Sequence, residues 1–254
     1  MKNSITQITL NMRRLLFRDV KSFIASFIFP IFFYVLYTKF LTFEMDEAAM
    51  RDWQLDYLVS MSVYGMVFTS IQTVSSALIK DQTRQWDLFV RMSPQSYWLY
   101  YVYICLTYLP LHVLLFVLLS MIAYLLHQVT MPIMIWLGFL GLIVLSSSVF
   151  SLFGILVGMT RSHMIANISS NLLVFPMAIL GGLWWPLYIM PEWLQNIGKI
   201  LPTYQSSEII RTLVLQKKDL QYSLIFGFII WFITLFVVII GLSRYQSRKE
   251  QVIL

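Results

Sequence analysis

Residues 133–159 read IMIWLGFLGLIVLSSSVFSLFGILVGM, 27 residues without a single charged side chain. An α-helix rises about 1.5 Å per residue, so this stretch crosses the roughly 30 Å hydrocarbon core of a bilayer with turns to spare. Five further apolar runs lie outward of it, at 22–41, 55–79 and 98–126 on one side and 165–184 and 222–243 on the other. Composition agrees. Of the 254 residues, 59% are hydrophobic and 12% charged, against about 25% charged in a soluble domain, and the mean hydropathy is +0.74. A soluble globular domain and a disordered chain are both excluded. One Cys excludes a disulfide or Cys-based zinc framework. The fold class is an all-α polytopic membrane protein, with six transmembrane helices in a single domain spanning 1–254.

Six spans place both termini on one side, and the basic residues choose that side. Twelve of the 18 Lys and Arg residues fall in segment 1–21, in loop 80–96, at Arg161 and in tail 244–254. The opposite face carries the other six basic residues with eight of the twelve acids, among them Asp56, Glu192 and Glu208. Positive charge stays in the cytoplasm, so the expected orientation is N-in, C-in. Nor does 22–41 look like a cleaved signal peptide, because it is long for an h-region and ends in Tyr37-Thr38-Lys39-Phe40 without a small-residue cleavage pattern.

Between the spans lie segments with patterns of their own. In 1–21, Ile5, Ile8, Met12 and Leu15 recur at helical spacing with Arg14, Arg18 and Lys21 on the opposite face. That is an amphipathic helix, suited to the inner leaflet or to a cytoplasmic partner. Loop 80–96 holds Arg84, Trp86, Asp87, Phe89, Val90 and Arg91 before Pro94. Trp86, Phe89 and Val90 fall at i, i+3 and i+4, so a short cytoplasmic helix presents an aromatic anchor framed by charge, either to a groove on a partner protein or to the lipid interface.

Small residues Ser147, Ser151, Gly154 and Gly158 line one face of the fourth span, a seam for close helix packing. Polar side chains gather elsewhere, with Thr69, Gln72, Thr73 and Ser76 in the second span and Asn167 and Asn171 in the fifth. Intramembrane amides need partners, so these faces turn to other helices or to a polar translocation pathway rather than to lipid.

After the fifth span, Gly181-Gly182-Leu183-Trp184-Trp185-Pro186-Leu187-Tyr188-Ile189-Met190-Pro191 is too hydrophobic for a free loop and is broken by Gly-Gly and two prolines. It reads as a re-entrant or interface-buried segment on the outer side, with Trp and Tyr at headgroup level. An amphipathic helix ending before Pro202 follows, then a second from Ser207 to Leu215, so that 185–221 forms an outer cap.

Catalytic patterns are missing. His112, His127 and His163 lack HExxH spacing, no GxSxG elbow is present, and no GxxxxGK[ST] phosphate loop occurs. A membrane-embedded lipid-modifying enzyme and a passive channel are the rival readings from other classes. The channel reading has against it the lack of a TVGYG-type filter and of regularly spaced arginines in the fourth span.

The order of segments, and above all Gly182-Leu183-Trp184-Trp185-Pro186 with Pro191-Glu192-Trp193-Leu194, Ile197 and Pro202, resembles the type 2 permease family of ABC transporters over nearly the whole chain. The resemblance implies a six-span half-transporter subunit of a bacterial exporter in the cytoplasmic membrane, moving a drug, an antimicrobial peptide, a lipid or a lipid-linked polysaccharide. It implies a second permease protomer, the same or similar, and two copies of a separate P-loop ATP-binding subunit. ATP and Mg would sit on that subunit, this chain would bind no cofactor, metal or nucleic acid, and it would be no enzyme by itself. By the same resemblance, Arg84, Trp86, Asp87, Phe89, Val90 and Arg91 dock on the ATPase, while Gly181, Gly182, Trp184, Trp185, Pro186, Tyr188 and Pro191 close the exit as an outer gate. Gln85-Trp86 stand where many members carry Gly-Thr.

Overall fold

The computed structural model describes residues 20–41, 45–86, 97–216 and 221–253. All regular structure among them is helical. Helix α1 (Val20–Val35) runs directly into a π-helical turn, Leu36–Phe40. The long helices are α2 (Glu47–Thr83), α3 (Tyr97–His127), α4 (Ile133–Gly158), α5 (His163–Leu180) and α8 (Tyr222–Ile253). Between α5 and α8 lie a 3-10 turn (Leu187–Ile189), α6 (Glu192–Ile200) and α7 (Pro202–Val214). Among the described residues five helices are long and apolar enough to cross a membrane, and the shorter apolar helix Phe27–Phe40 lies within the first expected span. The amphipathic segment 1–19 lies outside the described residues.

Several boundaries differ from those read in the sequence, each for a local reason. Helix α2 starts at Glu47 instead of 55, because the Asp46 carboxylate caps it by accepting from the Ala49 N–H at 2.9 Å and Glu47 complements the helix dipole. Helix α5 ends at Leu180 instead of 184. Gly182 takes φ +71°, its N–H donates to Ile179 O and the Leu183 N–H donates to Ala178 O, which together make a Schellman stop that favours glycine at the left-handed position. Helix α7 begins at Pro202, five residues before Ser207, since proline is pre-set for the first helical position and its missing N–H costs nothing there. Beyond 243, the expected tail continues as helix to Ile253.

Helix α2 is the axis of the bundle. Of its most apolar stretch 72% is buried, against 28% in α5 and 17% in α8, and it packs against α1, α3, α4, α5 and α7. The small-residue seam of α4 faces it: a Cβ built on Gly154 would stand 2.6 Å from Ser70 O and 2.9 Å from Val74 Cβ, so the two backbones approach as only glycine permits. Polar contacts tie the same bundle. Ser70 Oγ and His112 Nε2 lie 3.0 Å apart in the buried α2–α3 contact.

Near the other end of α3, the Thr38 hydroxyl donates to Tyr34 O at 2.7 Å. Thr38 Oγ1 therefore accepts from His127 Nε2 at 2.9 Å, leaving Nδ1 to accept from Gln54 Nε2 at 3.3 Å. One end of the bundle, the cap end, thus gathers the start of α2, the end of α3 and α6–α7. At the opposite end α2 finishes beside α3 and α4, where the Tyr100 hydroxyl donates to Asp81 Oδ2 at 2.9 Å and Gln82 Nε2 donates to Gly158 O at 3.3 Å.

Candidate functional site

Three groups of residues singled out in the sequence fall at three levels of this bundle. At the end opposite the cap, α2 closes with Arg84 N–H donating to Lys80 O at 3.2 Å and Gln85 at φ +57°. Trp86 follows with 45% of its surface exposed. Asp87, Phe89, Val90 and Arg91 lie outside the described residues.

Midway along, the polar faces of α2 and α5 meet. Gln72 Nε2 donates to Asn167 Oδ1 at 2.9 Å, and Ser75 Oγ lies 3.3 Å from Ser170 Oγ. Thr73 donates to the Thr69 carbonyl of its own helix, and Thr69 itself is buried. Gln72, Thr73, Ser76 and Asn171 are partly exposed and Asn167 is exposed, so an amide and hydroxyl strip opens at the surface of an otherwise apolar bundle. Among the described residues Gln72 Oε1 has no partner.

The cap end carries the densest arrangement. Trp184 sits in a cage of rings, with centroids 5.2 Å from Phe33, 5.6 Å from Tyr64, 5.7 Å from Phe175 and 6.3 Å from Trp185. Its carbonyl accepts from the Tyr57 hydroxyl at 3.3 Å. The turn is pinned from beneath as well. Thr203 Oγ1 donates to Met177 O at 2.8 Å, and a Cβ on Gly181 would overlap both atoms. Trp185, the outermost ring of the cage, is exposed, as are Tyr188 and Pro191, and Pro186 is half-buried. Helix α6 exposes Trp193, Ile197 and Ile200 along one face, the pattern of a helix lying in the interface plane.

Beside this cage is a charged cluster that sequence reasoning did not assemble. Arg211 of α7 is buried and its Nε lies 2.6 Å from Asp56 Oδ1 of α2. Its Nη2 donates to Ser60 Oγ at 2.7 Å and to Gly182 O at 3.2 Å, and Nη1 lies 3.5 Å from Glu208 Oε2. Burial first, then the neighbouring Glu208 carboxylate, pushes the Tyr204 phenol above its ordinary value, so it stays neutral beside the cluster. Asp56 and Arg211 are 155 positions apart. The only local sign in the sequence is one arginine on a short helix whose other charged residue is Glu208. Among the described residues, no group of three or more His, Cys, Asp or Glu is placed to hold a metal ion.

Comparison with known proteins adds two findings. Residues 4–215 match the family described as ABC-2 type transporter. The chain is also 27% identical over 229 residues, 90% of each chain, to the protein YvfS of Bacillus subtilis (strain 168), which bears the name of a transport permease.

Proposed function

Because the chain belongs to the ABC-2 type transporter family, and is thereby a membrane permease subunit, we propose that it is the translocating half of an ATP-driven exporter for an amphipathic substrate. The observation that carries this reading is the open strip of Gln72, Thr73, Ser76, Asn167 and Asn171 on α2 and α5. Such groups facing lipid cost free energy, and each is better placed against a water-filled route or a second protomer. A strip of hydroxyls and amides next to aliphatic side chains suits a cargo with polar and apolar parts. The name carried by YvfS supports transport in the same sense.

In this reading the cap end is outside the cell, with Trp184, Trp185 and Tyr188 as gate, and both termini are cytoplasmic. The first span starts near residue 22 and completes a set of six. Two P-loop subunits carry ATP and Mg and dock at 80–96, with Trp86 as the apolar anchor. Two permease protomers face each other across the route.

The test is reconstitution of the chain with its ATP-binding subunit in inside-out vesicles, with uptake of a fluorescent cationic amphipathic dye as readout. Expected is ATP-dependent dye accumulation that falls at least about ten-fold in Trp86→Ala, the loss typical of an aromatic hot spot. Dye movement indifferent to ATP, or a subunit that binds Trp86→Ala as tightly as the unaltered chain, refutes the proposal.

A further inference from the structure

Helix α2 is continuous from Glu47 to Thr83 and contains no proline. Without the strongest cause of a break it is one unbroken helix, and Asp56 and Lys80 lie about 36 Å apart along it at 1.5 Å per residue. One end of this rod borders 80–96. The other is held by Arg211, whose guanidinium joins three elements: α2 through Asp56 and Ser60, the turn after α5 through Gly182 O, and its own helix α7.

Each partner is oriented for the grip. Asp56 and Ser60 are one turn apart on the same face of α2, and the Ser60 hydroxyl donates to Asp56 O at 2.8 Å, leaving its lone pairs for Arg211. Gly182 turns its carbonyl to the guanidinium from a left-handed backbone at φ +71°. Only 9% of the Arg211 side chain is exposed, against 27% for Asp56, so a shift of α2 either draws the turn along or strips a buried guanidinium of its carboxylate.

We propose that Arg211 is the positioning residue of the cap: the Asp56–Arg211–Gly182 contact is the grip through which motion of α2 moves the Gly181–Trp185 turn. The inference rests on the reading above that the cap is a gate and that 80–96 receives the ATPase. It adds the residues that connect the two.

The experiment uses the reporter substitution Leu183→Cys, at a turn residue that is 1% exposed, in a Cys105→Ala background. The full chain in lipid nanodiscs is labelled with a maleimide, alone and with its ATP-binding subunit under ATP and vanadate. Expected without the subunit is labelling at least about ten-fold faster in Arg211→Gln than in the reporter chain, since local opening follows the strength of the contacts that hold a segment shut. Arg211→Lys, which keeps the charge but not the fork, should fall between. The paired exchange Asp56→Arg with Arg211→Asp restores an α2–α7 ion pair, but an aspartate has no donor for Gly182 O. The exchange should therefore refold the bundle, as judged by thermal unfolding, and still label fast.

With the subunit present, the nucleotide-dependent change in labelling should be lost in Arg211→Gln while ATP hydrolysis persists. Equal slow labelling of Arg211→Gln and the reporter chain overturns the grip, as does slow labelling by the paired exchange. If instead the reporter chain itself ignores nucleotide and subunit, the exporter reading fails, while the labelling difference without the subunit still decides the grip.

Discussion

The two adjacent glycines at the end of α5 should respond differently to the same added methyl group. At Gly182 the backbone is left-handed, φ +71°, and a Cβ would meet Leu187 Cβ at 3.5 Å, an ordinary contact. The cost of Gly182→Ala is therefore conformational, about 1–2 kcal/mol. Gly181 sits at φ −78°, open to any residue, but its Cβ would overlap Thr203 Oγ1 and Met177 O and stand 2.9 Å from Thr203 Cβ. Gly181→Ala should cost about 1–3 kcal/mol through overpacking.

Apparent unfolding temperatures in detergent, compared at one scan rate, read both. At about 3 °C per kcal/mol for a chain of this size, Gly182→Ala should lower the midpoint by about 3–6 °C. Asn tolerates the left-handed region, so Gly182→Asn should recover about half of that loss. Thr203→Ala should partly relieve Gly181→Ala by removing the overlapping hydroxyl, and should do nothing for Gly182→Ala. The reasoning is refuted if Asn at 182 is no better than Ala, or if Thr203→Ala rescues both alanines equally.

Two further outcomes follow from helix contacts. In a double-mutant cycle of Gln72→Leu and Asn167→Leu, the 2.9 Å amide pair should show a coupling of about 0.6–1.7 kcal/mol by unfolding in bicelles, and strict additivity would mean that the pair contributes nothing. Gly154→Ala should destabilise by about 1–3 kcal/mol, because α2 backbone lies against it. Gly141→Ala on the same helix, with nothing within 4 Å, should be silent or slightly stabilising; equal effects on the unfolding midpoint would refute the close α2–α4 approach.

Much of the molecule is written in local pattern. The apolar runs at 98–126 and 133–159 have nearly the bounds of α3 and α4, because a membrane helix is set by the length of hydrocarbon it must cross and each satisfies its backbone internally. Gly181-Gly182, and Pro186 and Pro191, likewise announced the broken segment after α5, since left-handed backbone and missing N–H groups are properties of single residues. Boundaries moved where a cap outweighed hydropathy, as Asp46 did for α2 and Pro202 for α7.

What only the tertiary structure decided is which side chains meet. Gln72 and Asn167 were each legible as polar groups in need of partners, but that they satisfy one another depends on α2 and α5 packing side by side. The same holds for Ser70 and His112. Arg211 is the extreme case. On its short helix it looks like an ordinary solvated residue, and Asp56 like the end of a span. Burial of the guanidinium against α2 and Gly182 O follows from the Schellman stop at Gly182, the start of α7 at Pro202 and the central place of α2, acting together. Periodicity and composition are properties of neighbours along the chain, whereas an ion pair across 155 positions exists only once several helices have taken their places.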